Sequence, residues 1–303
     1  MMPAITLKNV TKSYRSITVL NQLNLEIREN VITGLVGRNG VGKTTLMKMV
    51  AGFIKESDGE LRVFSERPFN SLKVSANMIF IDDMMGFPDA LTLGDLLMEC
   101  DRFYENWDQD LAMRLLEYFK LPLTLNHRVL SKGKRSTFNA VVGIATRCPL
   151  TMFDEPITGM DAGARRDFYR ALLKDYLAHP RTILLSSHHM EEMEDLLEDI
   201  LVIDGKSIAF HGPITELQEK FLSLQAKESV LKSYAIRYGV VHRSNAGPMT
   251  EWIVDNEHTE AEVDELKQAG IRVSALSASE AYLAMTGQTT GGVDDVYNAM
   301  ERE

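Results

Sequence analysis

Cysteine is nearly absent: Cys100 and Cys148 are the two in 303 residues. They fit no metal spacing and no disulfide framework, so two small reduced core thiols are expected. Positive charge is also scarce. The formal net charge is −10, which argues against broad binding to a phosphate backbone and leaves nucleic acid out of the expected partners. No apolar run approaches the roughly 18–20 residues that cross a bilayer. Residues Met1–Ile5 lack the basic and apolar parts of a signal peptide. A cytoplasmic protein is therefore expected, with any membrane role supplied by a partner. Internal repeats and low-complexity tracts are missing too. The remainder, 45% hydrophobic and 25% charged, is of ordinary globular composition.

Ile5, Leu7 and Val10, then Val19-Leu20, then Leu23, Leu25 and Ile27 alternate as strands do. Val31–Val36 reads as a buried strand, followed by a glycine-rich turn and a helix over Lys43–Ala51. From about residue 84 to 149 the pattern is mainly helical. There Leu111, Leu115 and Tyr118 fall on one face of a helix beginning near Asp108. Strands return at Leu150–Phe153 and Thr182–Ser186, and Leu201–Phe210 reads as a strand, a tight turn and a strand. After Phe221 the texture changes: residues 222–303 carry 7 Lys/Arg and 13 Asp/Glu, a net of −6. Strand-like runs lie around Tyr234–Val241 and Trp252–Val254, and helices over His258–Ala269 and near Ser277–Met285. The expected organisation is a main domain over 1–221, a helical subdomain at about 84–149 within it, and a small α+β appendage over 222–303. The tail after Gly287 is expected to be the least ordered part.

Gly37-Arg38-Asn39-Gly40-Val41-Gly42-Lys43-Thr44 has the G-x-x-x-x-G-K-[ST] spacing of a phosphate-binding loop, with Thr45 following. Glycines let successive backbone N–H groups turn inward onto phosphate oxygens. The helix that follows aims its positive end at the same anion. Lys43 would reach the β- and γ-phosphates of ATP, and the Thr44 hydroxyl would ligate Mg²⁺. Leu150–Glu155 is a short apolar strand that delivers two carboxylates at its end. Asp154 would help hold Mg²⁺, and Glu155 would take a proton from the attacking water or orient it.

Three further segments carry a resemblance. Val129-Leu130-Ser131-Lys132-Gly133-Lys134-Arg135 is similar to the signature of ABC ATPases, whose consensus is LSGGQ. Asp154-Glu155-Pro156-Ile157-Thr158-Gly159-Met160-Asp161 resembles the family's Walker B and D-loop run, and Ser186-Ser187-His188 its switch-histidine segment. These motifs stand in the family's order across residues 5–215. The resemblance implies a P-loop α/β core, in which a mixed sheet with helices is joined by an antiparallel β subdomain. An inserted helical subdomain and the C-terminal appendage complete it. It also implies an ATP-hydrolysing subunit of a membrane exporter. Its partners would be a second nucleotide-binding domain and an integral-membrane permease, and its place the inner face of the cell membrane. Ser131 and Gly133 would close the γ-phosphate site of the second domain. His188 would contact the γ-phosphate, and Asp161 would communicate between the two sites. Tyr14 stands where the family places an aromatic on adenine; on the sequence, core packing remains equally open.

The chain also departs from the family's pattern. Asp83, anchored by Leu91-Thr92, aligns with the Gln that senses Mg²⁺. Lys132 and Lys134 replace a Gly and the Gln of the signature, and His189 follows His188. Phe103–Asp108 resembles an insertion of a bacterial exporter subgroup, and Ser277–Leu283 the helix that ends its appendages. The alternative left open is a soluble or regulatory ABC ATPase with weak catalysis.

Overall fold

The structure, a computed structural model, describes residues 3–188, 190–234, 239–246, 249–257 and 259–287. The chain forms two compact units, Met1–His211 and Gly212–Glu303. In chain order the first unit begins with β1 (Pro3–Tyr14), β2 (Ile17–Arg28), β3 (Ile32–Val36), α1 (Lys43–Val50), β4 (Asp58–Val63), α2 (Leu72–Ala76) and β5 (Met78–Ile81). Three helices follow: α3 (Leu93–Phe103), α4 (Gln109–Tyr118) and α5 (Lys132–Ala145). The unit then returns to strands with β6 (Leu150–Asp154), α6 (Ala162–Ala178), β7 (Thr182–Ser186), β8 (Asp199–Asp204) and β9 (Ser207–Pro213).

Two sheets organise this unit. β2-β1-β4 is antiparallel, and the six-stranded sheet runs β5-β6-β7-β3-β8-β9. Its pairs β5–β6, β6–β7, β7–β3 and β3–β8 are parallel. Every residue of β3, β5, β6 and β7 is buried. Continuous apolar runs are what a parallel sheet covered on both faces requires. Ile5 and Leu23 of the antiparallel sheet share one apolar cluster with Leu46 of α1 and Met152 and Leu184 of the parallel sheet. The two sheets therefore sandwich α1 and fix where its N-terminus points.

Helix starts are set by local chemistry. Thr92 and Asp95 form a capping box on α3, and Asp108, Ser131 and Asp161 cap α4, α5 and α6. The face expected to bury α4 is displaced by one residue. Ala112 and Leu116 enter the core, while Leu111 and Leu115 are half-buried and Tyr118 is exposed.

The second unit contains α7 (Ile214–Gln218), β10 (Phe221–Ala226), α8 (Glu228–Tyr234), β11 (Val240–Ala246), β12 (Met249–Asp255), α9 (Glu260–Gln268), β13 (Arg272–Ala275) and α10 (Ala278–Met285). Its sheet is antiparallel in the order β11-β12-β10-β13. From β10 to β13 this is a β-α-β-β-α-β arrangement. Leu224, Trp252 and Val254 on one sheet face pack with Leu231 of α8 and Leu266 of α9. Tyr234 ends a helix here and is not the start of a strand; β11 begins at Val240, and residues 235–238 lie outside the described ones. Glu228 and Lys232 pair at 2.8 Å one turn apart, a local bond only a helix offers. The tail after Gly287 also lies outside the described residues. Among the described residues no helix is long and apolar enough to cross a membrane.

Candidate active site

In a parallel sheet the carboxyl ends of neighbouring strands face one side, where ligands bind. β3, β6 and β7 end together here: Leu35 pairs with Ser186, and Asp154 with Ser186 on its other side. The phosphate-loop residues leave β3 at Val36 and enter α1 at Lys43. Gly42 caps α1 at φ +114 without any side-chain cap. A Cβ there would stand 2.6 Å from Leu20 Cδ2, so only glycine fits both the backbone and the space. Arg38, Asn39 and Gly40 are exposed, Val41 packs on the core, and the Val41 N–H donates to the Arg38 carbonyl at 3.2 Å.

Lys43 is buried, and its ammonium donates to the carbonyls of Gly37 at 2.7 Å and Arg38 at 3.4 Å. Burial lowers its pKa, opposed by the negative charges of Glu155 and Asp154. Lys43, Asp154 and Glu155 therefore occupy one electrostatic neighbourhood. Thr44 is exposed at the helix start and Thr45 half-buried beside it.

The two carboxylates differ in setting. Asp154 is buried, and Ser186 Oγ donates to its Oδ1 at 2.5 Å. Glu155 adopts φ +51, a conformation uncommon outside glycine. Its N–H donates to Ser186 Oγ at 3.1 Å, and the His188 ring nitrogen Nδ1 lies 2.6 Å from its Oε2. The turn swings Glu155 away from Asp154 and toward His188, so two adjacent acidic residues take separate places. Ser186 bridges both: one hydroxyl accepts from the Glu155 backbone and donates to the Asp154 side chain. The sequence placed Ser186 in the switch segment without this role, which two strand ends in register create. His189 lies outside the described residues.

The structure separates the two aspartates after β5. Asp83 is exposed and lines a cleft of about 470 Å³ with Phe87, Arg128, Lys132 and Arg135. Asp82 is half-buried, pairs with Lys48 at 3.7 Å, and has its pKa raised by burial and by repulsion from Asp83 and Asp154. Asp83, named from the Leu91-Thr92 spacing, thus lies exposed at this cleft, while Asp82 is turned toward Lys48.

Ser131 and Asp161 begin helices. Ser131 Oγ accepts from the Lys134 N–H at 3.4 Å, and Asp161 Oδ1 from the Ala164 N–H at 2.9 Å; both residues are exposed. Gly133 packs against Gly159, and Ser136 Oγ donates to the Thr158 carbonyl at 2.7 Å. Tyr14, 46% exposed at the hairpin end with Lys12 Nζ 4.9 Å from its ring centroid, is not a core residue. Both cysteines are buried and free, and burial pushes the Cys148 thiol up to about 11 and the Cys100 thiol to about 12.

Comparison with known proteins decides the family. The family described as ABC transporter matches residues 20–158, from within β2 to Thr158 just past Glu155. The Nod factor export ATP-binding protein I of Rhizobium leguminosarum bv. viciae is 30% identical over 224 residues, covering 72% of each chain. The chain belongs to the ABC transporter ATP-binding family. The ABC transporter ATP-binding protein YtrB of Bacillus subtilis is 28% identical over 77% of this ABC ATPase and 80% of the relative. The fold matches a solved ATP-binding subunit of an ABC transporter at TM-score 0.64 and 21% identity, over 71% of this chain and 92% of that one. A cassette solved as a dimer with ADP and phosphate matches at TM-score 0.61 and 19% identity, over 69% and 98%. The protein binds ATP and is an ATPase.

Proposed function

We propose that this ATPase powers a membrane exporter, working as a pair of nucleotide-binding domains beneath an integral-membrane permease. It would sit on the inner face of the cell membrane through that permease. The observation that carries the catalytic part is the Glu155–His188 pair, held at 2.6 Å beside Asp154 where β3, β6 and β7 end. Export rests on the relative whose name specifies it, the Nod factor export protein. Residues 212–303 would serve as an accessory domain.

Each residue then acts on a stated atom. Lys43 exchanges its two loop carbonyls for β- and γ-phosphate oxygens, and the N–H groups from Gly37 to Thr45 surround the same oxygens. Tyr14, exposed on its hairpin, stacks on the adenine. Glu155 accepts a proton as water oxygen bonds to the γ-phosphorus and the bond to the β–γ bridging oxygen breaks, leaving ADP and phosphate. His188 holds the Glu155 carboxylate in place and contacts the γ-phosphate.

The oxygen donors Thr44 and Asp154 suit Mg²⁺, and Asp83, exposed after β5, is the further carboxylate that the resemblance assigns to it. Among the described residues no group of three or more His, Cys, Asp or Glu could hold a metal alone, an arrangement that leaves ligand positions to phosphate oxygens and water. When bound, Mg²⁺ would neutralise charge developing on the phosphates.

The exposed start of α5, with Ser131 at its cap and Lys132, Lys134 and Arg135 around it, carries no acidic residue in its first turn. Such a helix end attracts an anion. It would meet the γ-phosphate held by the second domain, with Asp161 nearby on the start of α6.

The test is ATP hydrolysis across a protein concentration series beside Glu155→Gln. Specific activity should rise as the wild type dimerises. The variant should lose roughly 10²–10⁴-fold in kcat and accumulate as an ATP-bound dimer on light scattering. Wild-type turnover by Glu155→Gln would remove Glu155 from the chemistry. Export would be tested by co-purification with a multi-span membrane protein and by loss of cargo efflux in cells carrying Glu155→Gln.

A further inference from the structure

α4 and α6 enclose a cleft of about 490 Å³ away from the phosphate loop, within the range of small-ligand sites. Its apolar floor is Leu111, Leu115 and Phe119 from the α4 side and Ala171 from α6. These include the stripe that the periodicity marks as a buried face and that the core leaves half-open. Apolar residues set in register along a helix but not covered by the core are surface available to a ligand.

The polar rim is unbalanced. Asp175 is buried and taken by Arg147 at 2.8 Å and Arg181 at 2.7 Å. Asp167 accepts from Tyr118 Oη at 2.7 Å and has Arg166 and Arg170 near 4 Å. Lys174 has no hydrogen-bond or ion-pair partner among the described residues, and it stands one turn beyond Arg170 on α6. Both cations are exposed at the rim, above the apolar floor. In a chain of net charge −10 this is a local cationic site.

We propose that the α4–α6 cleft binds a small amphiphilic carboxylate, its chain on Leu111, Leu115, Phe119 and Ala171 and its carboxylate on Lys174 and Arg170. The apolar body supplies burial and the cationic rim supplies orientation. The cavity volume suits a monomeric ligand better than a flat membrane surface. α6, which lines the cleft, begins at Asp161, and α4 packs on α5, whose cap is Ser131, so an occupied cleft touches one helix that starts at a proposed nucleotide-site residue and a second that packs on another. This inference does not depend on the export reading.

The experiment is calorimetric titration of the full chain with decanoate below its aggregation concentration, beside 1-decanol. Lys174→Ala and Ala171→Trp are the variants, and Lys8→Ala, on the antiparallel sheet, is the control. Expected are saturable one-to-one binding of decanoate, at least tenfold weaker binding of the alcohol, and about tenfold weakening in Lys174→Ala. Ala171→Trp should abolish binding, and Lys8→Ala should leave it unchanged. Lys174 is exposed, so its variant reports even if Ala171→Trp fails to fold. Absent or non-saturable binding, equal affinity for the alcohol, or no effect of Lys174→Ala overturns the proposal. Binding to phosphatidylglycerol vesicles without binding of decanoate overturns it as well, in favour of a membrane-surface patch.

Discussion

Gly133 is the position where a packing role and a nucleotide role can be separated by one methyl group. A Cβ built there stands 2.1 Å from the Gly159 carbonyl oxygen and 2.9 Å from its carbon. Ordinary contact begins at 3.4 Å, so the oxygen would have to retreat by about 1.3 Å (3.4 less 2.1). The obstacle is backbone, and its neighbours are tied. Ser136 Oγ donates to Thr158 O at 2.7 Å, and Met160 N donates to Ile157 O at 3.0 Å. Overpacking of this kind costs about 1–3 kcal/mol. Alanine returns up to about 1 kcal/mol of helix propensity, less in a first turn. Gly133→Ala should therefore lose about 1–2 kcal/mol net. That lowers Tm by about 2–8 °C for a unit of this size. The assay is thermal unfolding by circular dichroism without nucleotide, paired with ATP hydrolysis at saturating ATP. An unchanged Tm with hydrolysis lost would refute the intrachain clash and assign the glycine wholly to contact with nucleotide or a second domain.

Two more outcomes follow from buried charge. Asp175→Asn leaves Arg181, whose side chain is 4% exposed, and Arg147 without their shared carboxylate. Urea unfolding should show a loss of about 3–5 kcal/mol, and a loss under about 1 kcal/mol would contradict the network's role. Burial lowers the pKa of His127 and of His211. The unfolded chain then takes up protons at a pH where these folded-state rings still refuse them. Their contribution to stability is intact above the unfolded value of about 6.5 and is lost as pH falls below it toward the depressed folded values. The urea midpoint should drop between pH 7.5 and 5.5, and the drop should be smaller in His127→Gln; equal slopes would exclude His127.

The elements that organise the first unit were legible because their signals are local or densely repeated. β3, β6 and β7 are continuous apolar runs bounded by breakers, and α4 begins at Asp108, a side chain that caps its own backbone; α6, between β6 and β7, went unmarked. The phosphate loop was legible for the same reason, since eight consecutive residues carry both its conformation and its chemistry. The second unit was harder. Its β11 mixes polar and apolar residues, and α8 is seven residues long, too short for periodicity to show.

The aspartate pair after β5 shows where reading along the chain stops. Spacing to Leu91-Thr92 counts residues but not direction, and Asp82 and Asp83 follow a fully buried strand end, so a single-residue step changes which side each faces. Ser186 failed to stand out for a related reason. A serine at a strand end is unremarkable until the parallel register sets it beside Asp154 and under the left-handed turn of Glu155. Both features depend on three strands ending at one level, and that level is fixed by the shared core beneath them. The motif supplies the polar residues, while the sheet register sets Ser186 beside Asp154 and the turn after β6 brings Glu155 to His188.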